Sequence, residues 1–129
     1  VPEGLADMVS GLLRKQAVSA LSMARKAGEA VQGFTKVEEA LRKGPVRVLL
    51  HAAGSSVDGW AKLDRLCRPA TVISDSFRSD EMDLAFGRAN VVHAAVAAGG
   101  LAERLVVLLQ RMASFEGEGP KGSTGSEEK

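Results

Sequence analysis

Apolar residues at the start of the chain recur three and four positions apart: Leu5, Met8, Val9, Leu12 and Leu13, then Ala17, Ala20, Leu21, Ala24 and Ala27. That period predicts an amphipathic helix. It is one long element or two broken near Gly11, because glycine in a helix interior costs about 1 kcal/mol against alanine. Gly28 fits a left-handed helix stop. A short extended stretch at 30–32 follows, then a bare backbone at Gly33. A second helix starts near Phe34 or Thr35 with Val37, Ala40 and Leu41 on its apolar face, and Gly44-Pro45 ends it. Residues 46–53 form a mostly apolar, β-branched run, the pattern of a buried strand. Gly54-Ser55-Ser56 turns the chain, with Ser55 or Ser56 suited to cap a helix whose apolar face is Trp60, Leu63, Leu66 and Cys67. Arg68-Pro69 stops that helix. Residues 70–74 read as a second strand, 79–86 as a helix stopped at Gly87, and 91–97 as a third strand. Gly99-Gly100 leads into a last helix with Leu101, Leu105, Leu108, Leu109 and Met112 inward.

Strands alternating with helices of this length predict an α/β fold. The expectation is a three-layer α-β-α sandwich around a roughly four-stranded mixed, mainly parallel sheet, counting 30–32 as a strand. The first and last helices would share one face. Residues 1–115 are expected to be one domain, with 1–15 a helical extension. Residues 116–129, mostly Gly, Ser, Glu and Lys, are expected to be disordered. The Val1-Pro2-Glu3-Gly4 start reads as the cut edge of a longer protein, and there is no internal repeat.

Composition changes this picture little. The 129 residues are 45% hydrophobic but only 4% aromatic, so the core must be Leu, Val, Ala and Met. No apolar run approaches the roughly 18–20 residues of a membrane span. Cys67 is the sole cysteine and cannot form an internal disulfide, which suits a reducing cytoplasm. A monomer is expected.

Charge changes it more. The net charge is +1, but residues 116–129 hold four acids and two bases, which leaves residues 1–115 at +3. Between Arg14 and Arg47 stand eight bases against three acids. Such asymmetry points to an acidic partner such as nucleic acid, against the plainer reading of ordinary basic helix surfaces.

No catalytic set is visible. His51 and His93 each sit in an apolar strand and read as packed strand-end histidines; their spacing matches no metal site. Cys67 lies on an apolar helical face and reads as core. Asp80, Glu81 and Asp83 suit the start of a helix. Gly54-Ser55-Ser56 lacks both the dinucleotide and the Walker patterns. No cofactor, metal or enzymatic activity is expected.

Two stretches remain. Gly33 opens a helix whose first amides lack intrahelical partners and attract anions. Arg25 and Lys26 precede it; Lys36, Arg42 and Lys43 follow it. Gly87-Arg88-Ala89-Asn90 precedes the third strand and can meet the Gly33 turn at one end of the sheet. Phosphate positioning is the chemistry that suits this arrangement. The scarcity of aromatics disfavours base stacking and favours a folded RNA read by shape and backbone.

Residues 21–28 (LSMARKAG), 31–44 (VQGFTKVEEALRKG), the strand 46–53 and the element 77–88 (FRSDEMDLAFGR) resemble the ribosomal L-seven-Ae / L-thirty-e / Gadd-forty-five superfamily, in order and spacing from about Val18 to Met112. More narrowly, the chain resembles the C-terminal domain of bacterial nucleic-acid-binding proteins that carry a YlxR domain ahead of it. The resemblance implies the α-β-α sandwich and binding to a kink-turn or ribosomal RNA element, with a role in translation or transcription termination. It places Arg25, Lys26, Gly33, Phe34, Thr35, Lys36, Lys43, Arg88 and Asn90 on the RNA side. Kink-turn binders of this superfamily carry Gly-x-Asn-Glu-x-x-Lys at the second helix; here Gly33 stands, but Thr35, Lys36 and Glu39 replace the asparagine, glutamate and lysine. Lys36 only donates, so it suits phosphate or guanine O6/N7 rather than guanine N–H groups. A protein-interaction domain of the same fold that has lost RNA contact is the alternative.

Overall fold

A computed structural model of the chain describes residues 3–116. In order, it contains α1 (Glu3–Lys26), β1 (Ala30–Gln32), α2 (Phe34–Lys43), β2 (Val46–His51), α3 (Val57–Asp64), β3 (Val72–Ser74), α4 (Ser79–Phe86), β4 (His93–Ala97) and α5 (Gly100–Glu116). Residues 117–129, nearly all of the expected disordered tail, lie outside the described residues.

The first helix is continuous. It passes through Gly11 without a break, and Leu13 is buried in the main core with Val9 packed against it. Residues 3–15 are thus part of the core helix. Packing against the rest of the domain outweighs the glycine's low propensity. The helix ends as its glycine foretells: Gly28 takes φ +79°, its N–H donates to Arg25 O at 3.0 Å, and Glu29 N–H donates to Ala24 O at 2.8 Å. Those two bonds satisfy carbonyls that a helix end otherwise leaves open.

The sheet is four-stranded and mixed, in the order β1-β4-β2-β3. β2 and β3 pair in parallel, while β4 lies between β1 and β2 and runs antiparallel to both. Three strands therefore share one direction, but β2–β3 is the single parallel pairing, fewer than strand–helix alternation suggested. The reason lies in α4. β3 ends and β4 begins at the same end of the sheet: His93 stands opposite His51, the last residue of β2, and Ala53 N–H donates to Phe77 O just after β3. α4 does not return the chain to the far end, so the next strand must enter reversed.

Two apolar layers enclose the sheet. α1, α4 and α5 cover one face through Val48, Leu50, Ala94 and Val96; α2 and α3 cover the other through Leu49 and Ala95. Buried Ala17, Ala20 and Ala24 let α1 lie close to the sheet. A bulge at Arg47 puts Val46 on the α2 side although Val48 faces α1: Val46 pairs with Ala97 and Val48 with Val96. The Arg47 side chain leaves the sheet to meet Glu103 at 2.6 Å and Ala70 O at 2.6 Å. A second clip joins α1 to α4: Arg14 Nε donates to Glu81 Oε2 at 2.8 Å and its Nη2 to Ser76 O at 2.8 Å.

Candidate nucleic-acid interface

The carboxyl ends of β1, β2 and β3 and the start of β4 meet at one pole of the sheet. In open α/β folds this pole is where ligands bind. Four connections cover it, and the Gly33 turn is the first. Gly33 takes φ +96° and ψ +144°, a conformation open to glycine and few other residues. A Cβ built on it would meet nothing within 4 Å, so the backbone angle, not crowding, demands glycine. The residue caps α2 with no side chain, and the first turn of α2 holds no acid. The amides of Phe34, Thr35 and Lys36 are thus left without a side-chain cap, at the positive end of the helix.

Opposite this turn stands the α4–β4 connection. Gly87 closes α4 in the left-handed conformation, with its N–H on Asp83 O at 2.8 Å. Asn90 also takes a positive φ, +63°. The next amide, Val91 N–H, donates to Asp83 Oδ1 at 2.8 Å. Asp83 thus holds both ends of the loop, its backbone carbonyl at Gly87 and its carboxylate at Val91, a role that sequence position alone did not reveal.

Three cations converge here. Arg25 from α1, Lys36 from α2 and Arg88 from the α4–β4 loop line a cleft of about 200 Å³, floored by Ala30, Val31, Gln32 and Phe86. Arg25 reaches over the end of α4: a Cβ on Gly87 would stand 3.9 Å from its Nη2. None of the three is ion-paired with a described residue, whereas Arg14, Arg42, Arg47 and Arg78 are paired with Glu81, Glu38, Glu103 and Asp80. The expected site residues divide accordingly. Arg25, Lys36 and Arg88 line the cleft; Gly33 and Thr35 stand next in sequence to its Gln32 and Lys36, and Thr35, in the first turn of α2, and Asn90, in the α4–β4 loop, are exposed. Phe34 is half-buried with its ring edge-on to His93, centroids 5.7 Å apart, so it packs more than it presents. Lys26 is exposed beyond Arg25 but does not line the cleft. Lys43 ends the opposite end of α2 and lines a different groove, with Gly28, Glu29 and Pro45.

Beside the turn lies a chain of polar rings that the sequence did not announce. Asp64 Oδ1 stands 2.9 Å from His51 Nε2, and His51 Nδ1 stands 2.9 Å from His93 Nδ1. Trp60 stacks on His51 at 4.9 Å and donates its Nε1–H to Ser55 Oγ at 2.7 Å. His51 and His93 are packed strand-end residues, as expected, and they are also bonded to each other. Burial lowers the His93 pKa below the usual histidine value; neighbouring His51 lowers it further, and Asp64 opposes both. Burial, then Asp64, push the Cys67 thiol up, so thiolate is scarce there at neutral pH.

No family model matches the chain, and no curated protein does. The fold is similar to a solved structure of a protein with unknown function from Bacillus halodurans C. The TM-score is 0.66 and the identity 20%, over 73% of this chain and 96% of that one. At that identity the likeness bears on the fold alone. Among the described residues, no group of His, Cys, Asp and Glu could hold a metal ion, and no helix is long and apolar enough to cross a membrane.

Proposed function

We propose that this pole is a non-enzymatic binding surface for structured RNA. The observation that carries the reading is the convergence of Arg25, Lys36 and Arg88, none ion-paired with a described residue, on one cleft beside the uncapped start of α2. Three elements supply one cation each, and the fold brings them together while Arg14, Arg42, Arg47 and Arg78 are paired away. A phosphodiester offers the matching charge, and the first amides of α2 offer backbone donors for its oxygens. The cleft's floor is three strand residues and one buried phenylalanine, with no exposed aromatic platform for stacking bases, so backbone and shape readout fit it best. Thr35 and Lys36 replace the acceptor that guanine N–H groups need, which turns the first turn of α2 from base reading towards phosphate. The ribosomal or transcript RNA suggested by the sequence resemblance, and a role in translation or transcription termination, belong to the same proposal.

The test is filter binding of a hairpin RNA with an internal loop across a salt series. Binding is expected to weaken as salt rises, with a log–log slope of about two to four for a footprint of this charge. Lys36→Glu is expected to weaken binding at least tenfold. If Lys36→Glu leaves both affinity and slope unchanged, the cleft is not the site. If no RNA shifts any amide in residues 28–38 or 87–91 while a protein partner does, the domain serves protein contact instead.

A further inference from the structure

The proton positions in the Asp64–His51–His93 chain follow from its geometry. A carboxylate only accepts, so His51 Nε2 must carry the hydrogen that faces Asp64 Oδ1. Neutral His51 then presents a lone pair at Nδ1, and His93 Nδ1 must donate across the 2.9 Å contact. That leaves His93 Nε2 as a bare lone pair. It has no hydrogen-bond partner among the described residues, and it is not sealed from solvent, the residue being 8% exposed. One more proton enters the chain at this atom without breaking any bond. A proton on His51 Nδ1 would instead require His93 to change tautomer, its Nδ1 accepting and its hydrogen moving to Nε2.

Gly59 keeps the atom open. It lies inside α3, where glycine costs about 1 kcal/mol against alanine. A Cβ there would stand 3.2 Å from His93 Nε2 and 3.4 Å from Cε1. The missing side chain is what gives the ring its place and its outlet. The residue lies beside the proposed phosphate surface: Gly33 N–H donates to His93 O at 3.0 Å, and the Phe34 ring abuts the His93 ring. The titratable groups facing His93 are His51 from β2 and Asp64 from α3; α3 otherwise presents Gly59, and α2 presents the uncharged Phe34.

Resting on the RNA reading above, we propose that His93 is a further contact of that site: its Nε2 takes up a proton when an RNA phosphate lies across the start of α2, so that RNA binding and protonation are linked. In the free protein the ring is neutral, held so first by burial and then by His51. A phosphodiester near the outlet favours the cation, which keeps its Nδ1–H on His51 and gains a second donor towards the phosphate. Affinity therefore rises as pH falls through the histidine range, opposite to the effect of acid on the free fold.

Two measurements test this on the whole chain with the same internal-loop hairpin as probe. The ring Cε1–H shift of His93, followed by NMR against pH, is expected to titrate about one unit higher with the RNA bound, and the affinity at about pH 5.5 to exceed that at about pH 8 roughly tenfold. His51 and His93 are the only histidines, which limits the groups titrating in this window. His93→Gln is expected to reduce the pH effect to less than about twofold, because the amide cannot take the proton. Should that variant fail to fold, Gly59→Ala, which pushes on Nε2 from the outside, is expected to shrink the same tenfold effect to about threefold or less. Salt-dependent binding of equal strength at both pH values overturns the proton link and leaves the RNA surface standing. Absence of binding at either pH overturns both. A full tenfold pH effect in a folded His93→Gln or Gly59→Ala protein overturns the assignment to His93.

Discussion

Gly33 and Glu81 show how single residues hold the pole in shape. The sequence reads Gly33 as a gap left for an approaching phosphate; the structure adds a backbone reason for the glycine, because φ +96° with open space around the Cβ position is a conformational demand. Gly33→Ala is expected to cost about 1–2 kcal/mol in urea unfolding, through backbone strain rather than a clash. Glu81 looked like a helix-start acid, and it is one: its Oε1 accepts Arg78 N–H at 2.9 Å. It is also nearly buried against Arg14. Burial raises its pKa, but Arg14 and the Arg78 amide outweigh that and hold the carboxyl below the ordinary range. A depressed carboxyl contributes stability that is complete above its unfolded value, near 4.5, and is lost as pH falls through the folded one. Glu81→Gln is therefore expected to cost about 2 kcal/mol at neutral pH, because it leaves the Arg14 guanidinium without its carboxylate. Thermal unfolding should then show a shallower loss of stability below about pH 4.5 than in the parent chain.

Elements were legible where their signals are local. α4 spans Ser79–Phe86 as its flanking residues indicate, and α1 stops at the glycine that suits its end. The continuity of α1 through Gly11 was not, because propensity is local and the packing of Leu13 is not. A Cβ on Gly11 meets nothing within 4 Å, so Gly11→Ala is expected to raise stability by about 0.5–1 kcal/mol in thermal unfolding. Other features lie beyond local reading for the same reason. The bulge at Arg47 moves Val46 to the opposite face from the one strict alternation gives it. The bond between His51 and His93 exists because β2 and β4 pair with those residues in register, and register between distant strands is written in no single segment. The reversed entry of β4 likewise depends on where α4 ends in space. The candidate site was legible as composition and loop placement. Its Arg25–Lys36–Arg88 grouping, and the exclusion of Lys43 from it, needed the fold.

At the scale of the whole molecule, charge is sorted by pairing more than by count. The net charge of +1 says little, and the excess of bases between Arg14 and Arg47 overstates the site, because Arg14, Arg42 and Arg47 in that stretch have carboxylate partners. What remains at the pole is three cations from three elements. Lys43 lies at the other end of α2, roughly 15 Å along a ten-residue helix from Gly33. That exceeds the screening length of about 8–10 Å at physiological salt, so its charge contributes weakly to a phosphate held at the cleft. The two ends of α2 therefore make separable predictions. Replacing Arg25, Lys36 and Arg88 together by alanine is expected to lower the salt slope of RNA binding by about two to three, near one for each phosphate contact removed. Lys43→Ala is expected to lower it by clearly less than one. If Lys43→Ala proves the more damaging change, RNA lies along the groove of Gly28, Glu29 and Pro45, and the pole of the sheet must be given another role.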